Sequence, residues 1–111
     1  MIKGHRIKRK VNIKSFLDLM SNYAKSNIKC TDHTFFRLSE KQRKIFKCEN
    51  IQNYLLSETP NLVGMQYNGC YAVFYKYNKR DVIRIMLNIS LNDIKVVTFY
   101  IIDESQVPKI K

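Results

Sequence analysis

His33, Arg37, Lys41 and Lys44 recur every three or four residues along the stretch 31–44. At about 100° per residue this spacing gathers them within roughly a quarter-turn on a helix. An imidazole with a free pKa of about 6.5 can take or give a proton near neutrality. A guanidinium one turn on can grip a phosphate bidentately, and two ammonium groups add point charge. Such a set suits metal-independent RNA cleavage, in which the 2′-hydroxyl attacks the adjacent phosphate. The protein then supplies only a base, an acid and positive charge on the phosphorane. The bland alternative is a solvated helix face carrying a surface histidine.

Other chemistries lack their residues. Gly4, Gly64 and Gly69 stand in no phosphate-loop spacing. There is no G-x-S-x-G, no H-E-x-x-H, no acidic cluster for a catalytic magnesium and no evident carboxylate pair. Cys30, Cys48 and Cys70 are odd in number and widely spaced, which indicates neither a disulfide framework nor a redox motif. Cys30 and His33 form C-x-x-H, but no second close pair completes a zinc site. Neither a cofactor nor a metal is expected.

The elements that must position these residues are read from periodicity. The 111 residues make one domain, with 45% hydrophobic content and a net charge of +11. Residues 1–50 hold 13 basic and 4 acidic side chains, whereas residues 51–111 hold 7 and 5. A polyanionic partner follows: nucleic acid, an anionic membrane or an acidic protein.

Residues 1–10 are a basic segment, either a flexible arm or an edge strand. The helical half covers 11–59. A first helix runs from Asn12 to about Ser26-Asn27, with a buried stripe of Ile13, Phe16, Leu17, Met20, Tyr23 and Ala24. A second, capped by Thr31 or Asp32, continues to about Phe46, with Phe35, Leu38, Ile45 and Phe46 turned away from its basic face. A third, starting at Cys48 or Glu49, stops by Thr59 because Pro60 follows.

From 60 to 102 the period is two. Strands 62–67, 70–77, 81–89 and 94–102 are joined at Asn68-Gly69, read as a type I′ hairpin, then at 78–80 and 91–93. The fourth strand is the most apolar and is expected to be central or covered on both faces. The tail, 103–111, offers little that could pack. The fold class is therefore α+β, two to three N-terminal helices on a four-stranded antiparallel meander. No apolar run nears the roughly 20 residues of a membrane span, and no signal-peptide pattern opens the chain. A cytoplasmic protein is expected, or a module delivered as part of a larger exported toxin.

His33-x-x-x-Arg37-Leu38, then Gln42-Arg43-Lys44-Ile45 and Glu49-Asn50-Ile51, resembles the opening of small toxin-like domains of the barnase–EndoU–colicin–RelE nuclease superfold. Val96-Val97-Thr98-Phe99-Tyr100 resembles their closing V-V-T-x-Y strand. Lys44 departs from the glycine common before the isoleucine, and the helix from Asn12 lies outside the resemblance. The likeness implies a ribonuclease fold and an active-site set of His33, Arg37, Thr98 and Tyr100. Lys41, Lys44 and Arg84 would bind substrate, with Tyr75, Tyr77 or Phe74 stacking bases or simply packing. It also implies tRNA or mRNA as substrate and an acidic antitoxin or immunity protein as partner. The alternatives are a non-catalytic RNA- or DNA-binding module and a protein-interaction domain with an acidic partner.

Overall fold

A computed structural model of the chain describes residues 6–109. Its elements run β1 (Ile7–Lys10), α1 (Ile13–Met20), β2 (Ile28–Lys29), a 3-10 turn (Asp32–Phe35), α2 (Glu40–Ile45), α3 (Cys48–Ser57), β3 (Leu62–Gln66), β4 (Tyr71–Lys76), β5 (Asp81–Ile89) and β6 (Ile94–Asp103). The class is α+β. The expected meander is the centre of a wider sheet, ordered β1-β3-β4-β5-β6-β2. β1 adds an antiparallel strand beside β3, and β2 pairs in parallel with the start of β6, so the sheet is mixed. Of the basic segment, residues 7–10 are thus an edge strand; residues 1–5 lie outside the described residues.

Alternation divides the sheet into two faces. Val73, Tyr75, Ile83, Ile85, Leu87 and Phe99 point one way, into a core closed by Phe16 and Met20 of α1 and Ile51 and Leu55 of α3. Fully burying side chains of this size stabilises by about 1.5–3 kcal/mol each, which makes this layer the main attachment of the helices. On the other face Ala72, Phe74 and Val82 form a smaller cluster with Ile7, Leu62, Ile102 and Val107. The tail therefore packs after all. Asp103 accepts from the Ser105 amide and hydroxyl at 2.9 and 2.6 Å, and the turn this makes delivers Val107 to that face.

Four local expectations are corrected. α1 ends at Met20, where the Ser21 hydroxyl donates to the Asp18 carbonyl at 2.6 Å and competes with further helix. Tyr23 keeps its inward direction and donates to the Ser90 carbonyl. The hairpin at Asn68-Gly69 is a three-residue loop: Gly69 has φ +87°, but no other described residue has positive φ, and type I′ needs two. Asn68 prefers to accept from the Cys70 amide at 3.0 Å.

The stretch 31–46 is not one helix. Ser39 accepts from the Gln42 amide at 3.1 Å while the Gln42 side chain accepts from the Ser39 amide at 2.9 Å. This reciprocal cap starts α2 afresh in extended geometry at Ser39. Finally, Cys30 and Cys48 form a disulfide with Cα atoms 5.9 Å apart. It joins the ends of the segment carrying all four basic residues of the expected face. Cys70 remains a buried free thiol.

Candidate functional site

β6 carries a bulge: Met86 pairs with Thr98 but Leu87 pairs with Val96, leaving Val97 as the extra residue. The Thr34 hydroxyl donates to the Val96 carbonyl at 2.7 Å and accepts from the Thr31 amide at 2.9 Å. A fully buried threonine thereby pins the 3-10 turn to the edge of β6. The chain then straddles that edge. Phe35 reaches the helix side, 6.3 Å from Phe99 ring to ring, and Arg37 turns over the other side.

There the Arg37 guanidinium lies 3.8 Å from the centre of the Tyr100 ring. Arg84 pairs across the strands with Tyr100, and its guanidinium carbon is 6.0 Å from the same ring and 5.2 Å from Phe74. Arg84 also donates from Nη2 to Gln66 Oε1 at 3.0 Å. Burial is the strongest influence on Arg84 and lowers its pKa; Tyr100 pulls it back up, and the Arg37 charge lowers it again. Arginine still stays charged at neutral pH. Two like charges thus converge on one aromatic ring, and Arg37 makes no ion pair among the described residues. Such a site attracts an oxyanion.

The structure brings Arg37, Tyr100 and Arg84 together. Thr98 shares their face two residues before Tyr100 and is buried. His33 is exposed, and its ring stacks on Phe36 at 4.2 Å, whereas Arg37 stacks on Tyr100. Lys41 and Lys44 stand exposed on α2, in a helix separate from His33 and Arg37.

Tyr75 must be withdrawn as a base-stacking residue. It is 2% exposed and lies beneath α3, 5.3 Å from the Tyr54 ring, and burial raises its pKa. Phe74 is also buried, whereas Tyr77 meets Phe46 edge-on and stays exposed. Phe36, half exposed beneath His33, is a further exposed aromatic in the basic segment that sequence reading did not single out. Because Cys30 is bonded to Cys48, it offers His33 no thiolate for a metal. No helix among the described residues is long and apolar enough to cross a membrane.

Sheet, bulge and paired arginines define an α+β domain whose helices cover one sheet face and whose Arg37 and Arg84 meet at Tyr100 on the other. A sequence model of the MJ0788 family matches residues 14–102, from α1 through nearly all of β6, and the chain belongs to that family. No curated protein and no solved structure matches it.

Proposed function

We propose that the protein is a metal-independent ribonuclease of toxin type, acting on tRNA or mRNA and neutralised by an acidic antitoxin or immunity protein. The convergence of Arg37 and Arg84 on Tyr100 carries this reading. The two guanidinium groups hold the phosphate and stabilise charge on the phosphorane. The RNA's own 2′-hydroxyl is the nucleophile. Tyr100 and His33 are the groups available for proton transfer, with Thr98 beside Tyr100 on the strand. The likeness of His33-x-x-x-Arg37-Leu38 and Val96–Tyr100 to barnase–EndoU–colicin–RelE nucleases supports the same assignment, as does the basic excess of residues 1–50. Action on cytoplasmic RNA fits both routes named above. The Cys30–Cys48 disulfide favours arrival through an oxidising compartment as part of an exported toxin.

The stack of His33 on Phe36 favours a second reading, RNA binding without cleavage, in which that exposed pair is a platform for a base. Incubating the purified protein with tRNA and mRNA in EDTA separates the two. Cleavage that survives EDTA and is lost in Arg37→Ala and His33→Ala, both still folded, supports the nuclease. A salt-sensitive RNA shift with intact RNA leaves only binding, and absence of both sinks the RNA reading altogether.

A further inference from the structure

Gln66 closes β3 on the face away from the helices and is 1% exposed. A glutamine amide has two chemically different ends, and here a chain of hydrogen bonds decides which end faces where. Asn68 Oδ1 accepts from the Cys70 backbone amide at 3.0 Å, so that atom is an oxygen. Gln66 therefore turns its amino group to it, Nε2 donating to Asn68 Oδ1 at 3.1 Å. Oε1 is left facing Arg84, whose Nη2 donates to it at 3.0 Å. The hairpin loop thus dictates the orientation of a side chain two strands away, through one neutral carboxamide.

We infer that Gln66 is a positioning residue that aims Arg84 at an RNA phosphate by a neutral acceptor, so that holding the guanidinium adds no negative charge to the site. The inference rests on the ribonucleic-acid reading above and names what tunes that site. A carboxylate at position 66 would hold Arg84 more strongly as a single contact. It would also neutralise the charge the phosphate needs, and the loop opposes it, since a carboxylate oxygen would face Asn68 Oδ1, another acceptor. The sequence therefore has Gln rather than Glu for two separate reasons. Arg84 reaches Gln66 across β4, over the Phe74 ring, so its long stem is supported along the way.

The test compares the affinity of wild type, Gln66→Glu, Gln66→Met, Arg84→Gln and the double variant Gln66→Met/Arg84→Gln for a fluorescein-labelled single-stranded RNA, alongside thermal melts. Gln66→Glu is expected to weaken binding roughly tenfold or more, the scale of a hydrogen bond to a charged group. Gln66→Met, neutral but without the acceptor, should lose less. The double variant should bind no worse than Arg84→Gln alone, a non-additivity that a merely structural role for Gln66 would not produce. Gln66→Glu binding as tightly as wild type overturns the inference, as does Gln66→Met binding more weakly than Gln66→Glu. Should Gln66→Glu not fold, additivity of the Met and Gln changes overturns it and coupling upholds it. Wild type failing to bind RNA overturns the functional reading and this inference together, whereas wild-type binding with an unaffected Gln66→Glu overturns this inference alone.

Discussion

At Tyr100 the ring and the hydroxyl have separable tasks. The ring seats the Arg37 guanidinium at 3.8 Å, an interaction of about 0.5–2 kcal/mol depending on its desolvation. The hydroxyl is the part that could carry a proton, beside the cross-strand neighbour Arg84. Tyr100→Phe keeps the ring, so RNA affinity should stay within about threefold, the scale of roughly 0.7 kcal/mol. If the hydroxyl moves a proton, single-turnover cleavage by the same variant should fall by about 10²–10⁴. Tyr100→Ala should lose affinity as well. Normal cleavage by folded Tyr100→Phe would remove the hydroxyl from the chemistry. Arg37, Tyr100 and Arg84 were each named as candidates from the sequence, and the fold places the three side chains around one ring. Gln66 and Thr34 were not, since a glutamine ending an apolar strand and a threonine in a polar run carry no spacing signal. Their roles exist only once β3 meets β5 and the 3-10 turn meets β6. Tyr75 was misplaced for a related reason: alternation groups Tyr71, Val73 and Tyr75 on one face but does not say which face the helices take.

The element on which the site depends is the segment between Cys30 and Cys48. It is closed by the disulfide, tacked by Thr34 to Val96, and sunk into the core by Leu38 and Phe46. Closing a loop of 18 residues' separation stabilises by about 3 kcal/mol on the chain-entropy account. Cys30→Ser should lower the melting temperature, dithiothreitol should lower that of wild type equally, and the variant should be indifferent to it. A wild-type melt insensitive to reductant would show that the bond contributes nothing. Thr34→Val, which strands a carbonyl at the bulge, should cost about 1–3 kcal/mol in denaturant titration. It should also weaken RNA binding by loosening Arg37; loss of stability with unchanged affinity would separate the turn from the site. The continuous helix expected from 31 to 46 overlooked the Ser39-x-x-Gln42 cap, which was present in the sequence but masked by apolar spacing that continues through it. Where alternation was strict and turn residues bounded it, as in β5, the strand limits were legible to the residue.

Across the whole molecule the sheet divides labour between faces, helices sealing one while Arg37 and Arg84 meet over Tyr100 on the other. The meander was legible because each of its strands has its own alternating face. The outer strands were not, because β1 has a single apolar residue, Ile7, and β2 only two residues in all. Such segments become strands by bonding to an edge already there. Their consequence is electrostatic. β1 sets Lys8, Arg9 and Lys10, all exposed, along the sheet margin beyond Gln66, with Ile7 paired to Gln66 itself. If RNA met only Arg37 and Arg84 through the one phosphate they share, the plot of log affinity against log salt would slope about −0.7, the value per neutralised phosphate on a single strand. The expected slope is steeper, because a strand leaving the site toward β3 passes this margin. Replacing Lys8, Arg9 and Lys10 together by glutamine should flatten the slope and weaken binding at low salt. Cleavage of RNA already saturated with protein should be unchanged, since none of the three side chains belongs to the proposed site at Tyr100. An unaltered slope in this variant would mean that the basic edge is only solvated surface and that RNA takes another path across the face.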